Sequence, residues 1–248
     1  MYLIGDIGNS EIKICLVNSK KKIIKKINFD SKNISSKKIK NNFKFLNKHY
    51  SNINKILFCS VVPKIFKLIK HYLKTKTNTK CYEIKSLNLS SLLKIKIKYN
   101  QVGSDRIANS ISLANPQKNF IIIDLGTATT FDVLIGKDYI GGIIAPGIKI
   151  SLNTLSDNAC LIPKIDLKKI RKVIGIDTKS AVRSGFFWGY VGLIDNIINL
   201  IKNETKKSFK IIITGGFSKL MKDTIKTKVI ENKNITSNGL IKTLDLIK

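Results

Sequence analysis

A short pattern of residues occurs twice in the chain, and this repetition constrains the fold more than any other feature of the sequence. The first copy places Asp6 and Gly8 between two apolar runs, and the second places Asp124 and Gly126 between two others. Each copy is typical of two strands joined by a tight turn that carries an aspartate, a glycine and a hydroxyl or amide side chain. Because the copies are far apart, the repetition predicts two similar halves.

Strand-like and helix-like patterns alternate through both halves. We predict strands over 56–62 and 210–213, and helices over 63–73, 106–113 and 179–202. The lysine-rich segment 20–36 is interpreted as strand ends and loop, and 141–147 as a glycine-rich turn between a strand and a helix. These patterns predict an α/β protein with a first lobe over residues 1–115 and a second over 116–248.

The charge of the chain invites a nucleic-acid interpretation. Lysine and arginine total 45 against 16 acidic residues, which gives a net charge of +29. The arginines, which suit base and phosphate recognition, are only Arg106, Arg171 and Arg183. The lysines are spread along the whole chain together with isoleucine and asparagine, a pattern that A/T-rich codons alone would produce. We therefore expect no nucleic-acid partner.

Cysteine spacing and hydropathy indicate the compartment. Cys15, Cys59, Cys81 and Cys160 form no C-x-x-C pair, so we expect free thiols; a zinc site built from Cys59, His71 and Cys81 is the alternative. The apolar runs are far shorter than the roughly 18 residues of a membrane span. The start of the chain has no basic or long apolar leader. We predict a cytoplasmic protein with no membrane partner.

The two aspartate–glycine turns have a chemistry in common. A glycine turn exposes backbone N–H groups, and a nearby hydroxyl adds a further donor, so such a turn can hold phosphate oxygens. An aspartate at the end of the preceding strand is placed to hold a metal ion beside those oxygens. Two related turns predict a nucleotide bound between two lobes.

The segment 103–106, with the sequence Gly-Ser-Asp-Arg, is a second candidate site. Asp105 lies at the start of a predicted helix, where it could simply cap the free N–H groups. Arg106 follows it in a chain that otherwise uses lysine, and an arginine can grip a carboxylate with two hydrogen bonds. A candidate base beside such a grip suits a small acidic substrate that bears a hydroxyl.

Taken in order, these motifs closely resemble those of the type III pantothenate kinase family. The shared elements are Asp6–Ser10, Gly103–Arg106, Asp124–Thr129, Gly141-Gly142 with Pro146-Gly147, and Thr214–Gly216. The aspartate–glycine turns alone indicate only the wider superfamily of acetate kinase, sugar kinases, heat-shock ATPases and actin. The resemblance implies two ribonuclease H-like (actin-like ATPase) lobes with mixed sheets. It also implies a homodimer that phosphorylates pantothenate to 4'-phosphopantothenate in the first step of coenzyme A synthesis.

The resemblance assigns roles to individual residues. ATP, arriving with Mg²⁺, would be bound by Asp6, Ile7, Gly8, Asn9, Ser10, Glu11, Ile12 and Lys13, with Thr127 contacting the phosphates from the other lobe. Asp105 would take the proton from the pantothenate hydroxyl. The substrate would be held by Tyr99, Gly103, Ser104, Asp105, Arg106 and, across the dimer interface, Thr178. Asp124 would bind the monovalent cation, K⁺ or NH₄⁺.

The chain departs from the family pattern at three positions. Tyr99 lies closer to Gly103 than the corresponding tyrosine does in the family. Asp177 stands before Thr178 where the family has asparagine, and Ser10 replaces the commoner threonine. The alternatives that remain are another phosphotransferase or phosphatase of the superfamily, a nucleic-acid-binding regulator, and an inactive nucleotide-binding member.

Overall fold

Each copy of the repeated pattern begins a mixed β-sheet. The computed structural model describes residues 1–247. The first part of the chain forms β1 (Tyr2–Ile7), β2 (Glu11–Val17), β3 (Ile23–Asp30), α1 (Ser36–Asn42), β4 (Lys55–Ser60), α2 (Pro63–Lys74), β5 (Cys81–Glu83), β6 (Lys94–Ile95) and α3 (Ser104–Leu113). The second forms β7 (Asn119–Leu125), β8 (Ala128–Ile135), β9 (Asp138–Pro146), α4 (Ile148–Asn158), α5 (Thr178–Thr205), β10 (Lys210–Thr214), α6 (Ser218–Met221) and β11 (Val229–Glu231), and α7 (Ile235–Thr243) follows.

The two sheets have the same topology. The first has the strand order β3-β2-β1-β4-β5, and the second includes the order β9-β8-β7-β10-β11. In both, the first three strands are antiparallel and the last two run parallel to the first strand. The predicted α/β class and the repeat of two similar halves with mixed sheets are confirmed.

The alternation of apolar residues along β1 and β4 explains how the first sheet is covered. Leu3, Ile7 and Phe58 pack with Ile65 and Ile69 of α2 in one buried cluster. Residues that alternate with these face the other side of the sheet, where α3 and α7 pack. Helices therefore cover both faces of the sheet, and we expect the functional side chains at the ends of its strands.

The chain divides into two compact units whose limits differ from the predicted ones at one end. The first unit comprises Met1–Ala114 and the segment that begins at Asn234, and the second comprises Asn115–Lys233. The division after Ala114 lies one residue from the predicted boundary. The last helix, predicted in the second lobe, belongs to the first unit because α7 packs on α3 and β1.

Helix α7 can approach α3 so closely because residue 239 is glycine. A Cβ atom at Gly239 would lie 1.8 Å from the carbonyl oxygen of Ala108 in α3. Thr236 donates from its hydroxyl to the side chain of Asn109 at 2.8 Å, which fixes the same contact. On β2, the thiol of Cys15 lies 3.8 Å from the hydroxyl of Ser237.

Two local expectations are wrong. The segment 20–36 contains β3, an edge strand with alternating half-buried and exposed residues that its many lysines obscured. Gly141 and Gly142 lie inside β9 rather than in a turn; the pairing with β8 shifts register between Val133 and Leu134, and Gly141 has a φ of 142° there. Only Gly147, at the start of α4, stands between a strand and a helix.

The length and apolar character of the helices decide whether one of them could cross a membrane. Within residues 1–247, none combines the length and the apolar character that a membrane span requires.

Candidate active site

The first glycine turn is closed by short hydrogen bonds. The N–H of Gly8 donates to the carbonyl of Glu11 at 3.0 Å, and the hydroxyl of Ser31 donates to the carbonyl of Gly8 at 2.6 Å. Asn9, Ser10 and Glu11 are exposed at the tip, whereas Ile7 and Ile12 are buried in the core. Among the predicted ATP-binding residues, the apolar pair thus anchors the hairpin and the polar ones are accessible to a ligand.

Asp6 is the penultimate residue of β1, and its neighbours on both adjacent strands are polar. The ammonium of Lys13 on β2 lies 4.0 Å from its Oδ2, and the thiol of Cys59 on β4 donates to its Oδ1 at 3.5 Å. Only 16% of the Asp6 side chain is exposed. Loss of solvent raises its pKa from 3.8 to about 6, although the charge of Lys13 lowers it; the charge of Asp105 contributes to the increase.

Asp105 lies in the first turn of α3. Its Oδ1 accepts the backbone N–H of Arg106 at 2.8 Å, so the carboxylate bonds one of the N–H groups that a helix start leaves unpaired. Loss of solvent raises the pKa of Asp105 above its ordinary value, and the backbone N–H and the charge of Arg106 lower it. The first unit therefore brings Asp6 and Asp105 close enough to interact electrostatically.

The residue before this helix must be small. Gly103 is the N-cap of α3, and a Cβ atom added to it would lie 2.5 Å from Oδ1 of Asp105. Ser104, the next residue, is buried, with 4% of its surface exposed. A side chain at position 103 would push against the carboxylate that we predict to be the base.

The second glycine turn repeats the first in the other unit. Asp124 is the penultimate residue of β7, as Asp6 is of β1, and its register partners are Thr130 and Thr214. The N–H of Gly126 donates to the carbonyl of Ala128 at 3.0 Å. Thr127, the predicted phosphate contact, is exposed at the tip of this turn.

The residue that follows β10 lies against the Asp124 carboxylate. Gly215, with a φ of 92°, follows β10, and a Cβ atom there would lie 2.6 Å from Oδ1 of Asp124. Carboxylate and carbonyl oxygens are the donors that hard cations prefer. Within the described residues, no three histidine, cysteine, aspartate or glutamate side chains are grouped as a metal cluster. Cys59, His71 and Cys81 are therefore not brought together as the zinc alternative requires.

Thr178 is the first residue of α5, in the second unit, and is exposed. The Asp177 before it caps the helix: its side chain accepts the N–H of Ser180 at 2.8 Å, and the Ser180 hydroxyl accepts the N–H of Asp177 at 3.1 Å. The backbone N–H of Ser180 holds the pKa of Asp177 below its ordinary value. The departure at position 177 thus has a structural role as a helix cap.

Tyr99 lies on a single 3-10 turn just before Gly103. Its hydroxyl donates to the carbonyl of Lys85 at 3.2 Å, and the Lys85 ammonium lies 5.2 Å from the centre of its ring. Tyr99 lines a cavity of about 390 Å³, whereas Gly103 and Ser104 line a neighbouring one of about 440 Å³. Tyr99 thus lines a different cavity from Gly103 and Ser104, and Lys85 lines both.

Three polar residues near these sites were missed from the sequence. Cys59 contacts Asp6, Lys85 lines both cavities, and Glu83 accepts the N–H of Lys85 at 2.8 Å. Cys59 could have been found, because a parallel strand after the first hairpin places it beside Asp6 in register. Lys85 is one lysine among many, and no spacing distinguishes it.

Comparison with known proteins gives a consistent family. The model of the type III pantothenate kinase family matches residues 2–200. A type III pantothenate kinase of Pelagibacter ubique (strain HTCC1062) is 60% identical over 248 residues, which cover all of both chains. Another, of Sulfurihydrogenibium sp. (strain YO3AOP1), is 34% identical over 97% of this chain and 98% of the relative.

The fold is also found among solved structures. A Sinorhizobium meliloti protein described as a candidate 2-dehydro-3-deoxygalactonokinase aligns with a TM-score of 0.62 over 98% of both chains. Its sequence is 7% identical, so the likeness concerns the fold alone. The sugar kinase architecture expected from the two hairpins is confirmed.

Proposed function

The chain belongs to the type III pantothenate kinase family and phosphorylates pantothenate with ATP in coenzyme A synthesis, and we propose that Asp105 is the general base of this reaction. The observation that carries this role is the geometry at the start of α3. The bond from the Arg106 N–H fixes Oδ1 of Asp105, and the nearby Gly103 leaves room for the carboxylate. Loss of solvent raises the pKa of this carboxylate, which makes it a stronger base than an exposed one.

The substrate hydroxyl would donate its proton to Asp105 as the oxygen attacks the terminal phosphorus of ATP. Phosphoryl transfer requires alignment and charge stabilisation rather than a covalent intermediate on the protein. We assign Gly103, Ser104 and Arg106 to pantothenate, because they surround Asp105 or line the cavity beside it. Tyr99, which lines the neighbouring cavity and donates from its hydroxyl to the Lys85 carbonyl, is not part of this assignment.

The first glycine turn is our candidate for the ATP phosphates. Its exposed polar tip, Asn9 to Glu11, and the Lys13 ammonium offer N–H, hydroxyl and cationic groups. Thr127 lies in the equivalent turn of the second unit. The repeat of the aspartate–glycine turn in the sequence supports its assignment to the ATP phosphates as well.

One carboxylate is a candidate ligand for a divalent cation and another for a monovalent cation. Asp6 is a largely buried carboxylate whose raised pKa reflects uncompensated desolvation, so a cation there would stabilise its ionised form. Mg²⁺, when bound with ATP, would neutralise phosphate charge. Asp124, the carboxylate beside Gly215 in the second glycine turn, is our candidate for K⁺ or NH₄⁺.

The second unit has a surface that supports a homodimer. The segment between α4 and α5 exposes large apolar side chains, with Leu161 91%, Ile174 84% and Ile176 95% exposed. Ile144 of β9 adds 65% exposure in the same unit. Apolar exposure of this kind is typical of an interface, and a second copy would bring in Thr178, two residues beyond Ile176.

We place the enzyme in the cytoplasm, which fits its four free thiols.

One assay tests the assignment. ADP release from ATP and Mg²⁺ is measured with and without pantothenate, in K⁺ and in Na⁺ buffers. We expect turnover that depends on pantothenate and on K⁺. Turnover without pantothenate dependence would refute the assignment of the substrate site, and equal rates in Na⁺ would refute the cation site at Asp124.

A further inference from the structure

Lys85 connects the two cavities of the first unit. The Gly103 cavity, of about 440 Å³, is lined by Gly103, Ser104 and Lys85, and the Tyr99 cavity, of about 390 Å³, by Tyr99, Lys94, Lys96 and Lys85. Both volumes fall within the range of roughly 300 to 1,000 Å³ that small-molecule sites occupy. A ligand that fills the Gly103 cavity would therefore lie against Lys85.

The Lys85 ammonium is fixed by the backbone around it. Its Nζ donates to the carbonyls of Asn100 at 3.2 Å and Val102 at 3.1 Å. The Lys85 carbonyl accepts from the Tyr99 hydroxyl, and its N–H donates to Oε2 of Glu83. An ammonium has three N–H donors, so two protein bonds leave one for a ligand in the cavity.

The charges along these cavities have a direction. The first cavity, whose lining residue Gly103 lies against the Asp105 carboxylate, has one acidic and one basic side chain in its wall, Glu83 and Lys85. The second cavity is lined by three lysines, Lys85, Lys94 and Lys96, and by no acidic residue. Pantothenate has a matching polarity, because its reactive hydroxyl is at one end and its carboxylate at the other. A neutral hydroxyl beside Asp105 and an anion beside the lysines is the favourable orientation.

We propose that Lys85, rather than Arg106, which lines neither cavity, binds the carboxylate of pantothenate and makes the enzyme prefer the acid to neutral analogues. This inference rests on the proposed placement of the pantothenate hydroxyl at Asp105. No covalent step is involved: the ammonium supplies a charge-assisted hydrogen bond and orients the substrate before the transfer.

A purely structural role is the competing explanation, because Lys85 also ties two turns together. The test uses Lys85→Gln, which keeps N–H donors but removes the charge, and Lys85→Arg, which keeps the charge. Lys80→Gln is the matched control: its ammonium lies 4.9 Å from the centre of the Tyr82 ring, but it lines neither cavity. If Lys85→Gln does not fold, Lys85→Met preserves the apolar stem over Tyr99.

The readout is the ratio of kcat/KM for pantothenate to that for its neutral alcohol analogue, in which CH₂OH replaces the carboxylate. If the wild type does not turn the analogue over, its inhibition constant is used. We expect the neutral variant to lower kcat/KM for pantothenate by about 10- to 100-fold and to leave the analogue nearly unaffected. Lys85→Arg and Lys80→Gln should retain the preference for pantothenate.

Equal losses with both substrates in Lys85→Gln would show that Lys85 only supports the turns, and would overturn the inference. An unchanged preference would overturn it as well. Wild-type enzyme that fails to use pantothenate would refute the proposed function instead, so the two failures are distinguishable.

Discussion

The Lys13 ammonium and the Asp6 carboxylate are joined across the first hairpin, with Nζ 4.0 Å from Oδ2 and the two residues in register. This cation lowers the pKa of Asp6, but burial raises it more, to about 6. The thiol of Cys59 on the other side adds only a weak hydrogen bond. The carboxylate is therefore held in place at a cost in stability, as is common at functional sites.

Asp6→Asn should stabilise the ligand-free protein at neutral pH. Because the folded pKa is about 6 against 3.8 for the ordinary group, the folded state binds the proton more tightly, and the free energy of unfolding falls as the pH rises from 4 to 6. Urea titrations should give the variant up to about 3 kcal/mol more stability than wild type at pH 7. At pH 4 the variant and the wild type should have similar free energies of unfolding. A variant less stable than wild type by the same amount at both pH values would contradict the pKa shift.

Asp105→Asn should remove the general base without changing the affinity for ATP. We expect kcat to fall by about 10² to 10⁴ and the affinity for ATP to remain near that of wild type. The measurement is pantothenate-dependent ADP release, with ATP binding followed by titration calorimetry. Asp223→Asn, at an exposed position, serves as the control. An equal loss of ATP affinity in the Asp105 variant would argue against a role as base.

Gly103→Ala should lower activity more than stability. The new methyl group would meet Oδ1 of Asp105 at 2.5 Å and push the carboxylate out of position, which we expect to reduce kcat by about 10²-fold. Gly192→Ala, in α5, adds a methyl group with no atom within 4 Å and should leave kcat unchanged. Activity and thermal unfolding are measured on both. Full activity in Gly103→Ala would mean that Asp105 does not act from the position described.

Gly239→Ala should destabilise the first unit. A Cβ atom there would overlap the carbonyl of Ala108 at 1.8 Å, so α7 has to move away from α3, at a cost of about 3 kcal/mol or more. Urea unfolding measures this loss. Gly192→Ala is again the control, with an expected gain of about 0.5–1 kcal/mol from helix propensity. Similar stability of the Gly239 variant and wild type would refute the close packing of these helices.

Asp124→Asn should remove the dependence on the monovalent cation. Wild-type turnover should be high in K⁺ or NH₄⁺ and low in Na⁺, because the ion neutralises the carboxylate beside Gly215. The amide variant should show a low rate that is similar in all three salts. A variant that still responds to K⁺ as wild type does would place the ion elsewhere.

The strands and helices that the sequence predicted are those with strong local patterns. The apolar run of β1 followed by Asp6 and Gly8 identifies a hairpin without further information, and Pro63 marks the start of α2. The strand β3 was missed, since its alternation is between half-buried and exposed residues rather than between core and solvent. Edge strands bury too little to leave a clear pattern.

Tertiary contacts set the limit of the site prediction. Asp105 could be identified because its neighbours in sequence, Gly103 and Arg106, are its neighbours in space. Lys85 could not, since its partners Asn100 and Val102 are reached only through folding of the intervening chain. The position of α7 was hidden for the same reason, because a glycine in a helix does not reveal which carbonyl it faces.

Because α7 follows the second unit in the sequence but packs in the first, it also affects the order in which the two units fold during synthesis. Residues 115–233 form one continuous stretch and can fold as soon as they leave the ribosome. The N-terminal sheet has to wait, with the face that α3 and α7 share only half covered, until residues 235–243 have been made. We therefore expect the nascent enzyme to complete its second unit before its first, and the packing around α3, the helix that holds Asp105, to be completed only after α7 has been made.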